Sequence, residues 1–261
     1  MSVDTSGESE ARLAAGELVL HGRIMPASNA TFIGEVDGTR VVYKPVAGER
    51  PLWDFPDGTL ARREVAAYAV SEALDWNIVP HTIVRDGPHG TGMVQVWQEP
   101  VEDDEAVRIV PENAVPAGWC HVFDGIDGND QPVSLVHEDS APLRRMAIFD
   151  VVVNNADRKG GHVLPVANGH RYGVDHGVTF HTDPKLRTIL WGWLDEPLTD
   201  AEVASIRALR TDLRGRLGDA LADLLTEREI DAFDRRCSRL LAVPTMPAPM
   251  GDWPAIPWPP F

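Results

Sequence analysis

Cysteine is nearly absent: Cys120 and Cys237 are the only two in 261 residues, and they stand far apart in no paired spacing. That excludes a disulfide framework and a zinc knuckle. Positive charge is scarce too, with 24 Lys and Arg against 40 Asp and Glu, a formal charge of −16. A general DNA or anionic-lipid binder neutralises phosphates with a basic surface, and this chain carries the opposite balance. Long apolar runs are missing. The best, Met146 to Val153, is interrupted by Asp150 and falls well short of the roughly 18 apolar residues that mark a membrane span. The opening MSVDTSGESE is acidic and polar where a secretory signal is basic and then apolar, so a reduced, cytoplasmic setting is expected.

What is present is a chain with 43% hydrophobic residues, ample for a core, and a length that suits one large domain or two closely packed lobes. From Gly16 to Lys44 apolar and polar residues alternate, and Asp37-Gly38 is a hairpin signal, which predicts two or three antiparallel strands. An irregular loop follows, and Leu60 to Leu74 then has helical periodicity, with Val65, Tyr68, Ala69 and Leu74 near one face and Thr59 as cap. Two more strands are expected over Ile78–Val84 and Gly92–Gln98. The stretch Val101–Ser140, acidic and rich in Gly and Pro, reads as a connector with short helices or a variable insert. Pro142–Val153 predicts a buried helix, Arg171–Val174 and Val178–Phe180 short strands, and Asp200–Leu241 two helices broken near Gly215 to Gly218. The expected plan is a disordered start over 1–14, a β-rich part with one helix over 15–100, a helical part over 101–243, and an extended Pro/Trp-rich tail over 244–261, packed on the body or on a protein partner.

Chemistry concentrates in Asp150 to His162, DVVVNNADRKGGH, where Asp, Asn, Arg, Lys and His crowd against a strongly apolar run. Such density beside a buried helix is costly unless the groups bind something. Asp175 follows, in Tyr-Gly-Val-Asp-His-Gly, on a turn suited to holding Mg²⁺ against a phosphate chain. The four His between 162 and 181 repeat no helical ligand spacing, which disfavours a zinc hydrolase. Trp191-Gly-Trp193 is either pocket lining or core.

Asn155-Ala-Asp157-Arg158 with His162, then Asp175-His-Gly177, resembles the catalytic and metal-binding loops of the phosphatidylinositol 3/4-kinase-like branch of the protein-kinase fold. More closely, the chain resembles a mainly actinobacterial family of small proteins related to those kinases, matching in motif order from about Gly16 to Leu241. The resemblance implies an α+β, two-lobed protein-kinase-like fold with a β-rich N-lobe and a helical C-lobe. It implies ATP and Mg²⁺ or Mn²⁺ as cofactors. Asp157 would be the catalytic acid that orients or deprotonates the acceptor hydroxyl, and Arg158 would support the loop or the phosphates. Asp175 would be the principal metal ligand, with His162 standing where the family pattern has Asn, and Asn155 would brace the loop or share the metal. Lys44 resembles the strand Lys that grips phosphates, and Glu64 its helix partner. Ser28 and Asn29 occupy the phosphate-covering loop, which lacks G-x-G-x-x-G. Gln95 to Glu99, including Gln98, would be the hinge under the adenine, and Lys159 joins the cations around ATP.

The implied activity is transfer of a phosphoryl group from ATP to a hydroxyl of a soluble acceptor, a protein or small polyol. Neither nucleic acid nor integral membrane contact is expected. The alternatives are a pseudokinase or nucleotide-binding regulatory module, and a nucleotidyl transferase on the same fold.

Overall fold

The computed structural model describes residues 11–25, 27, 29–55, 60–250 and 253–261. Residues 11–15 are helical and Leu13 is only 3% exposed, so the disordered start expected for 1–14 does not extend over 11–14. A five-stranded antiparallel sheet follows, built from β1 (Leu18–Arg23), β2 (Phe32–Val36), β3 (Thr39–Pro45), β4 (Thr82–Gly87) and β5 (Gly90–Val96) in the order β1-β2-β3-β5-β4. Asp37 and Gly38 join β2 to β3 with φ of 48° and 80°. Two successive left-handed residues match the twist of a tight hairpin, and Asp and Gly tolerate them. Alternate residues of the strands, Val36, Val41, Tyr43 and Val94, meet Leu13 and Leu18 in a small core on one side of the sheet.

Helix α1 (Leu60–Ala73) lies on the other side of β4 and β5. Thr59, expected to cap it, lies outside the described residues. The carboxylate of Glu49 meets the first turn, accepting from the backbone N–H of Leu60 at 3.3 Å and Ala61 at 2.9 Å. Of the expected face Leu74 is buried just past the helix end, while Val65, Tyr68 and Ala69 are half-buried and the buried face runs instead through Ala66, Ala67, Val70 and Ser71. Small side chains let the helix approach closely, and the charged Arg63 and Glu64 are drawn into the same face because each finds a partner there.

Residues 101–140 are neither a helical connector nor a loose insert. They form a three-stranded antiparallel sheet, β6 (Val107–Pro111), β7 (Trp119–Ile126) and β8 (Pro132–Glu138), with β8 in the middle. Leu135 and Val136 are buried, whereas the outer strands alternate half-buried and exposed. The acidic turn between β7 and β8 is itself structured, since Asp127 Oδ1 accepts from the N–H groups of Asn129 and Gln131, each at 2.8 Å. The C-terminal part is therefore helical with a sheet of its own.

Helix α2 (Ala141–Val153) starts at Ser140, whose hydroxyl accepts from Leu143 N, and ends at Asn154 in the left-handed region. Eight of its residues are buried, among them Met146, Ile148 and Phe149. β9 (Val163–Pro165) and β10 (Arg171–Gly173) form a small antiparallel pair. The strand expected over 178–180 is absent: Phe180 has φ 61°, and Val178 O and Phe180 N instead bond Ala156 N and Val153 O. Three helices follow rather than two, α3 (Asp200–Asp212), α4 (Arg216–Ala222) and α5 (Glu227–Ala242). One break falls at Gly215; the other comes where Thr226 opens a capping box with Glu229. The tail packs on the body, with Pro260 O accepting from Gly160 N and Ala255 O from Thr188 N and Trp191 Nε1. Both cysteines are free thiols. Among the described residues no helix is long and apolar enough to cross a membrane.

Phe149 lies at the centre of the large core and touches His176 edge-on, ring centres 5.5 Å apart. Phe149→Ala is expected to cost about 3–5 kcal/mol, read as a lower urea midpoint at unchanged slope.

Candidate functional site

Asp150 is a carboxylate on an apolar helix with no solvent access, which is costly unless it is paired. Arg158, equally inaccessible, supplies the pair with Nε 2.9 Å from Oδ2 and Nη2 2.9 Å from Oδ1. Its Nη1 donates to the carbonyls of His162 (3.1 Å) and Val174 (3.2 Å), and Nη2 also reaches His176 Nε2 at 2.6 Å. Gly173 makes room for this head group, because a Cβ there would stand 3.0 Å from Nη2. Asn155 completes the knot, donating to Asp150 Oδ1 at 2.9 Å and accepting from the N–H of Asp157 at 3.0 Å. Arg158 thus faces the interior and supports the loop, the first of the two roles expected for it. Asn155 braces the loop with both ends of its amide and is not placed as a metal ligand.

Around this knot the candidate reactive groups converge. Lys44, on β3, donates to Glu64 Oε1 at 2.7 Å and to Asp175 Oδ1 at 2.8 Å. Burial works against its charge, yet Asp175 and Glu64 outweigh it and hold the amine above its usual range. Lys44 in turn keeps the half-exposed Asp175 well below the usual carboxylate range, against the effect of burial. Glu64 is itself buried, and its Oε2 accepts from the N–H of His176 at 2.8 Å, so α1 grips the loop that carries Asp175. Asp175 sits at φ 62°, a strained setting tolerated by Asp.

His162 Nδ1 lies 2.9 Å from Asp157 O, which only accepts, so that nitrogen carries the proton. Burial holds the imidazole below its ordinary pKa. Its neutral Nε2 then faces Asp175 Oδ2 at 3.4 Å, two electron-pair donors turned toward one another. Asp157 is half-buried, and burial raises its pKa despite Lys159 Nζ at 3.8 Å, Arg187 Nη2 at 3.5 Å and the nearby His162.

Lys44, Glu64, Asp157 and Asp175 line one recess of about 500 Å³. Asn29 lines it as well, its Oδ1 accepting from Arg50 N at 2.9 Å, while Ser28 lies outside the described residues. Gln95 is buried in the sheet and its amide donates to Thr82 Oγ1 at 2.8 Å, so its side chain is a packing element rather than a free hinge donor. Gln98 is half-buried beyond the end of β5. Trp193 belongs to the core, with Nε1 on Asp139.

Sequence reasoning missed Arg187, whose Nε donates to Ala156 O at 2.7 Å, and Trp53 and Trp253, which line the recess. Lys185 links the two indoles, its Nζ standing 4.9 Å and 3.9 Å from their ring centres and 2.9 Å from Asp54. No spacing rule reaches residues this far apart in the chain; the Trp content of the tail was the only available signal.

Protein Rv2133c of Mycobacterium tuberculosis (strain ATCC 25618 / H37Rv) is 48% identical over 267 aligned positions, covering 97% of this chain and 96% of that protein. The chain belongs to the Rv2133c family. No protein-family model matches it. The crystal structure of the Helicobacter pylori proinflammatory kinase CtkA overlaps with a TM-score of 0.48 at 10% identity, covering 87% of this chain and 92% of that one.

Removing one partner of a buried ion pair leaves the other uncompensated. Asp150→Ala is therefore expected to lower unfolding free energy by about 3–5 kcal/mol, whereas Asp234→Ala, which breaks the exposed pair with Arg210, costs no more than about 1 kcal/mol. Equilibrium urea unfolding of both variants checks the contrast.

Proposed function

We propose that this Rv2133c-family protein is an ATP-dependent phosphotransferase of protein-kinase-like, two-lobed architecture, allied to the phosphatidylinositol 3/4-kinase branch, acting on a hydroxyl of a soluble acceptor. The observation that carries the reading is Lys44 Nζ held at once by Glu64 from α1 and Asp175 from the loop after β10, with Asp157 lining the same recess. A fixed cation, its bracing carboxylate, a second, accessible carboxylate and a raised-pKa acid are the parts that phosphoryl transfer uses.

The residues present suit a divalent cation. Among the described residues no cluster of three or more His, Cys, Asp or Glu side chains forms a closed cage. Asp175 and the unprotonated Nε2 of His162 offer an open pair of donors, as in sites where phosphate oxygens and water complete the shell. Imidazole favours Mn²⁺ more than an oxygen donor does. Such an ion, when bound, would neutralise charge on the phosphate chain.

Lys44 turns from Asp175 to the phosphates while Glu64 keeps its amine aimed. Asp157 accepts the proton of the acceptor hydroxyl as its oxygen bonds the γ-phosphorus and the bond to ADP breaks. Its raised pKa makes it a better proton acceptor at neutral pH than an ordinary carboxylate. Arg187 and Lys159 offset the negative charge gathered there. Trp53 and Trp253 give the acceptor side two aromatic faces, which suits a polyol or a peptide. The net charge of −16 supports a soluble acceptor over a lipid surface or nucleic acid.

His162 in place of an oxygen donor favours a second reading, nucleotide binding without turnover. Labelled ATP incubated with cell extract and the purified protein separates the two. Product in the wild type, reduced about 10²–10⁴-fold by Asp157→Asn and to a similar degree by Lys44→Met, supports transfer. ATP binding with no labelled product supports the second reading, and a nucleotidyl rather than a phosphate adduct by intact mass contradicts both.

A further inference from the structure

A second recess, of about 510 Å³, lies among α5, residues 182–195 and the tail residues 243–250, and shares no lining residue with the first. Its walls are mainly apolar, with Leu186, Trp191 and Met246 among them, yet Arg235, Arg236 and Arg239 also line it. In a chain with formal charge −16 a run of three cations along one helix edge is unusual, and among the described residues no acid forms an ion pair with it. Asp234, on the same helix, is paired with Arg210, and Asp195, the one carboxylate in the wall, makes no ion pair with any of the three among the described residues.

Arg236 is the informative member. Its Nε donates to Val152 O at 2.9 Å and its Nη1 to His181 O at 3.2 Å, while Nη2 is buried with no partner among the described residues. Burial lowers its pKa only to about 10, so the group stays charged at neutral pH. A desolvated cation is costly, and an anion held in the recess beside it offsets its charge. Guanidinium groups pair with carboxylate and phosphate in particular, and apolar walls gain from an apolar body that displaces water.

We propose that this recess binds a monomeric anionic amphiphile, a carboxylate or phosphate on an aliphatic chain, with the head group on Arg235, Arg236 and Arg239 and the chain along Leu186, Trp191 and Met246. The site is independent of the phosphotransfer reading. A free amphiphile rather than a bilayer is the occupant, because the chain's net negative charge opposes approach to an anionic membrane.

Calorimetric titration of the full chain with monomeric decanoate and decyl phosphate tests this, with decyl glucoside and inorganic phosphate as controls. Saturable binding of both anionic amphiphiles is expected, at least about tenfold tighter than either control. Arg236→Gln should weaken it about tenfold or more. Arg239→Gln, which removes an exposed head group with no side-chain partner among the described residues, should weaken it severalfold at an unchanged melting temperature, so that loss of fold is not mistaken for loss of the site. Equal binding of decyl glucoside, equal binding of inorganic phosphate, or undiminished binding in both Arg variants overturns the proposal. So does absence of binding, including the case where the protein sediments with phosphatidylglycerol vesicles but ignores the monomers.

Discussion

The buried pair of Asp150 and Arg158 is the constraint on which the rest of the site depends. An acid at the inner end of an apolar helix can be tolerated only if a cation and enough donors surround it, and the chain turns back at once after Asn154 to provide them. The donors left over on Arg158 then take the carbonyls of His162 and Val174, so one guanidinium holds the segment between Asp157 and Asp175 at two points. Asp157 and Asp175 are thereby placed by groups other than their own carboxylates, and both line the recess.

Lys44 performs the matching task from the N-terminal sheet. It joins a strand, a helix and a loop through two carboxylates, and Glu64 adds a bond to the backbone of His176. Arg63, next to it on α1, pairs with Glu229 on α5, so the helix is fastened to the C-terminal part at two adjacent residues. Two charged residues in a row on a buried face make sense only as this double tie. The tail braces the C-terminal part itself, with Phe261 against Gly160, where a Cβ would stand 2.4 Å from the ring, and Trp253 beside Lys185 and Arg187.

Local signals in the sequence reached the hairpin at Asp37-Gly38, the helix at Leu60, the helix ending in Val153 and the residues Lys44, Glu64, Asp157 and Asp175 that share one recess. Each rests on turn chemistry, periodicity or motif order, which act over short spans. The sheet over 107–138 was missed because its outer strands are half-exposed and its turns are acidic and Gly-rich, the composition of a linker. Motif order left Arg158 with two roles, supporting the loop or the phosphates; only the tertiary placement of Asp150, which turns the guanidinium inward, selects the loop. Asn155 followed the same acid. Arg187, Trp53 and Trp253 come together through the fold alone.

The most direct measurement is a crystal structure of the protein with a non-hydrolysable ATP analogue and Mg²⁺ or Mn²⁺. The account predicts the phosphates in the recess, Lys44 still on Glu64 but moved from Asp175 to a phosphate oxygen, and Asp175 with His162 on the metal. A nucleotide bound elsewhere, with the Lys44–Asp175 pair intact, would contradict it.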